Sequence, residues 1–137
     1  MALSFKKIIL SSFIFLPFLS FSQMLIVELK NVRPQLGGSI YMLLVDSQDK
    51  IVEKVIRPLS ERNFVFTFKN QKSGSYAVRM FHDQNNNGKL DTGIFGQPIE
   101  GWGVSNDARG FMSAPPFNKM LISVADKDVK TTIRIDY

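Results

Sequence analysis

The stretch NFVFTFK (Asn63–Lys69) sets Phe64, Phe66 and Phe68 on one side of an extended chain and Val65, Thr67 and Lys69 on the other. Side chains that alternate with a period of two read as a β-strand with one buried face. An aromatic row at that spacing packs a sandwich core far more often than it makes a ligand platform. The same rhythm continues upstream. In MLIVELK (Met24–Lys30), Leu25, Val27 and Leu29 interleave with Met24, Ile26, Glu28 and Lys30. Arg33-Pro34 and Gly37-Gly38 then turn the chain. SIYMLLV (Ser39–Val45) is apolar on both faces, which suits a central strand covered on two sides. Asp46 to Lys50 is a polar turn, Ile51 to Ile56 alternates around Glu53 and Lys54, and Pro58 ends that run. Downstream of the Phe row, Lys72-Ser73-Gly74 turns into SYAVRMFH (Ser75–His82). After a long irregular stretch come Met120 to Val124, a turn at Ala125 to Asp128, and TTIRIDY (Thr131–Tyr137), with Ile133, Ile135 and Tyr137 on one face. About seven short strands, polar turns and no convincing helix define an all-β fold, an antiparallel β-sandwich with one long ordered loop.

Length and composition set the boundaries of that domain. The 137 residues allow one domain, Gln23–Tyr137, preceded by a segment of different character. Met1–Ser22 has a basic start at Lys6 and Lys7, then an apolar run broken by Ser11, Ser12, Pro17 and Ser20. Ser20 and Ser22 put small residues three and one before a cut ahead of Gln23, the layout of a secretory signal peptide. The run is short of the roughly 20 residues a membrane span needs, so no span is expected once it is removed. Localisation is then secreted or periplasmic. The chain has no Cys, which removes thiol catalysis, thiolate metal sites, disulfides and a thioether lipid anchor together. Removing Lys6 and Lys7 from the 17 basic residues leaves 15 against 12 acidic ones, a net +3. Those bases are scattered and form no stripe or basic helix, so nucleic acid is not an expected partner.

The long stretch, MFHDQNNNGKLDTGIFGQPIEGWGVSNDARGFMSAPPF (Met80–Phe117), holds the single His, the single Trp and most of the loop-forming Gly and Pro. Long irregular segments in small domains are commonly functional. Asp83, Asn85, Asn87 and Asp91, with Gly88 between them, have the spacing of the front half of an EF-hand calcium loop. Alternate residues of such a loop aim oxygens at one centre. Asp83, Asn85, Asn87, the carbonyl of Lys89 and Asp91 would be the ligands, and calcium the cofactor. The twelfth position, where a bidentate carboxylate is expected, is Ile94, and no flanking helices are expected either. With two charged ligands, affinity would be on the order of 0.1–1 mM. The competing reading is a hydrogen-bonded turn without metal, since Asn-Gly caps its own loop.

No complete catalytic set surrounds the loop. His82 has no second His and no Cys to work with, and Ser105 lacks a Gly-x-Ser-x-Gly elbow. Glu100 and Asp107 are a conceivable carboxylate pair for glycoside hydrolysis, but any two loop acids would look the same. Trp102, between Gly101 and Gly103, would be either a stacking face or the centre of a mini-core with Phe95, Phe111 and Phe117. The expectation is therefore a non-enzymatic module. Its loop 82–117 would form a surface for a glycan or an envelope protein, with His82, Glu100, Trp102, Asn106 and Asp107 as candidate binding residues. A hydrolase of envelope or extracellular polymers and a purely structural module are the alternatives.

Four motifs in order also carry a family resemblance: Gly74-Ser75-Tyr76-Ala77-Val78, His82-Asp83-Gln84-Asn85-Asn86-Asn87-Gly88-Lys89-Leu90-Asp91, Phe95 to Asn106 (FGQPIEGWGVSN), and Pro115-Pro116-Phe117. Together they resemble the secreted bacterial family catalogued as domain of unknown function 2141. Trp102 stands where that family often has Tyr, and Val104 where Phe is common. The resemblance implies a small transthyretin-like or carboxypeptidase-regulatory-like sandwich exported by Gram-negative bacteria. It implies no activity.

Overall fold

A computed structural model describes residues 22–61 and 63–137. The expected signal peptide lies, apart from Ser22, outside the described residues. Eight strands follow in order: β1 (Gln23–Lys30), β2 (Ser39–Asp46), β3 (Ile51–Pro58), β4 (Val65–Gln71), β5 (Gly74–Asp83), β6 (Gly101–Val104), β7 (Ile122–Val124) and β8 (Val129–Arg134). A four-residue helix, α1 (Phe117–Met120), and two 3₁₀ turns at Pro34–Leu36 and Ser105–Asp107 complete the elements. One sheet has the order β4-β1-β8. The other runs β3-β2-β5-β6, with β7 also pairing β5.

The alternation in the sequence places the core. Leu25, Val27 and Leu29 from β1, Phe66 and Phe68 from β4, and Ile133 from β8 face Ile40, Met42 and Leu44 from β2 and Val78 and Met80 from β5. All are at most 4% exposed. This is the all-β sandwich the pattern implies. Two details differ from the sequence reading. β1 and β8 pair in parallel, because the chain's last strand returns on the far side of β1 instead of closing a hairpin. The eighth strand, β6, sits inside the long segment; four residues with two glycines leave too short a pattern to read.

β6 is where the two sheets are joined. Gly101 and Gly103 face inward, opposite His82 and Met80 of β5. A Cβ at Gly103 would lie 2.6 Å from Ile133 Cγ2, and one at Gly101 would lie 2.9 Å from Ile135 Cγ2. Glycine at both positions lets the end of the opposite sheet come close enough to pair. Trp102 N–H donates to the Asp136 carbonyl at 2.8 Å, and Asp136 N–H returns to the Trp102 carbonyl at 2.9 Å. Across the sandwich, Arg57 of β3 closes the other edge. Its guanidinium donates to the Asn63 and Val65 carbonyls at 2.7 and 2.9 Å and lies over the Phe66 ring.

Candidate functional site

The segment after β5 is two excursions on either side of β6. The first, 84–100, leaves the end of β5 and is held by two buried carboxylates. Asp83, fully buried as the last residue of β5, accepts the Asn87 N–H on Oδ1 at 3.0 Å and the Gly88 N–H on Oδ2 at 2.8 Å. Glu100, 5% exposed just before β6, accepts the Gln84 N–H on Oε1 at 2.8 Å and the Asp91 N–H on Oε2 at 3.1 Å. Each carboxylate ties two backbone donors of the loop, and charge-assisted bonds of this kind are about twice as strong as neutral ones. Gly88 (φ 81°) makes the turn between them.

The remaining loop oxygens lie in one shell. Asn85 Oδ1 accepts the Asn87 N–H (3.1 Å) and Asn87 Oδ1 accepts the Lys89 N–H (3.0 Å). Their amide nitrogens donate to Asp91, Asn85 at 2.6 Å and Asn87 at 2.9 Å to each oxygen. These donors, Asn87 first and Asn85 second, hold the Asp91 carboxyl below the ordinary carboxylate value. So Asp83, Asn85, Asn87 and Asp91 are brought together on one tight loop with Lys89 among them. Among the described residues no three His, Cys, Asp or Glu side chains cluster with metal-site geometry, as expected where amides make up half the set.

The binding candidates are not brought together on one face. His82 is fully buried at the end of the sandwich. Its Nε2 lies 2.6 Å from the Gly37 carbonyl, which can only accept, so that nitrogen carries the proton. Tyr137 Oη accepts the Arg33 N–H at 3.1 Å, which leaves its hydroxyl proton for His82 Nδ1 at 2.9 Å. Burial pushes the Tyr137 phenol above its ordinary value and keeps it a donor. His82 thus latches the loop before β2 to the last residue of the chain. Asn106 and Asp107 are exposed but occupied. Asn106 Nδ2 donates to the Lys119 and Leu121 carbonyls (3.1 and 3.0 Å), and Asp107 Oδ1 accepts the Arg134 N–H (2.8 Å). Ser105 is fully buried, accepting the Val78 N–H and donating to the Met120 carbonyl.

Trp102 is half-buried on the outer face of the β3-β2-β5-β6 sheet. It packs against a second apolar cluster of Val45, Ala77, Val104, Ala108 and Met120, beside Phe117 and Leu121. The Arg109 guanidinium covers its ring at 5.2 Å and pairs with Asp136 at 2.9 Å. The expected mini-core therefore has to be corrected. Phe117 belongs to it, but Phe95 and Phe111 are 88% and 92% exposed. Phe95 sits on the turn Gly93–Gly96, closed by Gly96 N–H to the Gly93 carbonyl and by the Thr92–Pro98 bridge, so its side chain stands off the body. Phe111 is followed by Met112 at φ 52°, a turn conformation that carries it outward as well.

Sequence reasoning missed two features of this surface. One is the pair of apolar tips, Ile94-Phe95 and Phe111-Met112, whose four side chains are the most exposed of the large apolar ones described. Flanking glycines at 93, 96 and 110 were the available signal. The other is a cross-strand row, Ile56–Tyr41–Phe81–Trp102, set by register across four strands of the outer face. Tyr41 and Phe81 stack at 4.8 Å and 19°, Lys54 caps Tyr41, and Arg109 caps Trp102.

Fold and site define a small β-sandwich module with a carboxylate-stapled loop on one end. Residues 27–132 match the family described as an uncharacterized protein conserved in bacteria, domain of unknown function 2141, and the chain belongs to that family. No curated protein and no solved structure matches it.

Proposed function

We propose that this chain is an exported, non-enzymatic binding module of the cell envelope, and that the two excursions around β6 are its recognition surface. The observation that carries this is the contrast between base and tip. The base of the first excursion is locked by Asp83 and Glu100, while Ile94 and Phe95 at its tip are 91% and 88% exposed. Water-exposed large apolar side chains on a rigid support are what interaction sites present, and a pre-ordered loop loses less entropy on binding. The partner is an envelope protein with apolar pockets that receive these side chains. A glycan fits less well, because the faces of Tyr41, Phe81 and Trp102 are taken up by one another and by Lys54 and Arg109. The non-enzymatic reading draws on the same geometry: His82, Asp83 and Glu100 are buried and hydrogen-bonded within the fold.

Calcium is the ion the 83–91 loop would take. In the described arrangement the Asn85 and Asn87 amide hydrogens bond the Asp91 carboxylate and leave its charge in place. A cation would displace them and use the second lone pairs of Asp83, Asn85, Asn87 and Asp91 and the Lys89 carbonyl. Calcium suits an all-oxygen, flexible set better than magnesium, which demands near-ideal octahedral geometry.

A photo-crosslinking amino acid at position 95, in cells of a bacterium that exports the protein, tests the surface. The expected result is one discrete adduct, absent when the crosslinker stands at Asp126 in an exposed turn and lost on Ile94→Ser. An identical adduct pattern from positions 95 and 126, or none from 95, would overturn the reading.

A further inference from the structure

Basic residues that are scattered along the sequence are gathered by the fold on one face. Alternation sends Leu25, Val27 and Leu29 of β1 into the core and Met24, Ile26, Glu28 and Lys30 to the opposite side of the β4-β1-β8 sheet. Register adds their neighbours on that side. Ile26 stands between Thr67 of β4 and Lys130 of β8, Glu28 between Val65 and Thr132, and Lys30 beside Arg134. Lys69, next to the inward-facing Phe68, points outward with Thr67. Thr67, Lys69, Lys130, Thr132 and Arg134 are all exposed, so no described element covers this face. Its cations are Lys30, Lys69, Lys130 and Arg134, and its acid is Glu28, which pairs with Lys30 and, at 3.2 Å, with Lys130. Lys69 and Arg134 make no ion pair among the described residues. The acids nearest the rim, Asp107 and Asp128, accept the backbone N–H groups of Arg134 and Met24. Those groups lie in the plane of the sheet and hold both carboxylates at its edge.

We propose that this face docks on an anionic phospholipid bilayer. The outer side of a sheet is broad and open, whereas a small soluble ligand is held in a cleft. A leaflet offers what such a face fits, a flat plane of one sign of charge. Met24, Ile26 and Val65 lie among the cations. Their aliphatic side chains would meet the boundary between headgroup and acyl chain, while the lysine stems carry their charges to phosphate. The Thr67 and Thr132 hydroxyls are further donors for phosphate oxygens. The same face of a second copy fits badly, because it would bring like charges together. Docked this way, the chain turns the outer face of its other sheet, with Tyr41, Phe81 and Trp102, away from the membrane. The proposal is therefore independent of the recognition surface assigned to the excursions.

Sedimentation of the exported protein with vesicles tests it. The expected result is binding to vesicles of phosphatidylglycerol and phosphatidylcholine in equal parts, little to phosphatidylcholine alone, and release as salt is raised. Lys69→Gln and Lys130→Gln should each weaken binding about fivefold, and Glu28→Gln, which removes the opposing charge, should tighten it about fivefold. Loss of fold cannot produce that gain. Lys54→Gln, on the outer face of the other sheet, and Ile94→Ser, at a tip, should leave binding unchanged. Equal binding to the two kinds of vesicle, or binding to neither, overturns the proposal. So does an equal loss from Lys54→Gln and Lys69→Gln, the mark of diffuse charge attraction, or capture by a soluble acidic polysaccharide without capture by vesicles. Loss on Ile94→Ser with Lys69→Gln silent also overturns it, and moves the membrane contact to the excursions.

Discussion

Substituting Glu100→Gln removes one acceptor from the loop staple with almost no change in shape. The carboxylate holds both arms of the excursion at once, Gln84 N–H at 2.8 Å and Asp91 N–H at 3.1 Å. A carboxamide can keep one of these with its oxygen, but its NH2 group must then face the other backbone N–H. The shorter bond to Gln84 should be kept, and the Asp91 amide left facing a donor. Losing a charge-assisted bond at a buried position, with the partner left unsatisfied, costs about 1–3 kcal/mol. For a domain of this size that lowers Tm by roughly 4–12 °C if the whole fold feels it. The fold need not feel all of it, because the excursion can open and let water satisfy the amide while the sandwich stays closed. Amide hydrogen exchange separates the two cases. Exchange at Asp91 should accelerate roughly 5–150-fold, the kinetic equivalent of that free energy. Core amides such as Val78, in β5, should change only if Tm falls too. If exchange at both Gln84 and Asp91 is unchanged in the variant, Glu100 does not hold the loop, and the argument for a rigid support under Ile94 and Phe95 fails with it.

Gly103→Ala should lower stability by about 1–3 kcal/mol by overpacking, since its Cβ meets Ile133 Cγ2 at 2.6 Å; denaturant unfolding measures it, and a neutral result refutes the close approach. Gly96→Ala meets no atom within 4 Å and should cost only the strain of φ 78°, about 1–2 kcal/mol, with the core amides unaffected. Millimolar calcium should raise the melting midpoint of the wild type by mass action, and Asp91→Asn should abolish the rise; an equal rise in both proteins would place the ion elsewhere. The Asp91 carboxyl is lowered in the fold, so what it contributes is present above the ordinary carboxylate value near 3.8 and lost as pH falls through the lowered one. Protection factors of the loop amides at Asn87 and Lys89, each rate taken relative to the intrinsic rate at that pH, should therefore be smaller below that range than at pH 5, by nuclear magnetic resonance, and unchanged protection would count against the Asn–Asp91 bonds.

The sheets were legible because burial imposed the period of two where both faces of the sandwich needed filling: Leu25, Val27 and Leu29, or Phe66 and Phe68, can point nowhere else. The loop oxygens were legible because Asx-type spacing is itself the local code for a tight turn, and Asp83 does cap two loop amides. Pairing partners were not legible. Nothing in VKTTIR distinguishes a strand that pairs in parallel with β1 from one that closes a hairpin, since register is set by tertiary contact. Glu100 was visible as an acid but not as a staple, because its two donors lie 16 and 9 residues away. Exposure at Phe95 and Phe111 ran against the hydrophobic pattern, and such local disagreements are expected at sites kept for function.

The position of β6 explains why one segment can be both rigid and displayed. Trp102 exchanges two backbone bonds with Asp136, and Tyr137 bonds His82, so the chain's end fastens both β6, which separates the excursions, and the end of β5, where the first begins. Asp83 and Glu100 stand at the two ends of the first excursion; Ser105, Asn106 and Asp107 begin the second and are tied to β5, α1 and β8. Apart from the Tyr137–His82 side-chain bond, each of these anchors bonds backbone, which water would otherwise have to satisfy, so the anchored parts behave as an extension of the sheets. At the tips the Phe95 N–H donates to Gln97 Oε1 at 3.2 Å, a bond within the turn itself, and Ile94, Phe95, Phe111 and Met112 bury almost nothing. Substitutions at the anchors should therefore register in stability and leave recognition intact where the loop still closes. Substitutions at the tips should leave stability within about 0.5 kcal/mol of wild type, as surface changes do, and register only in binding.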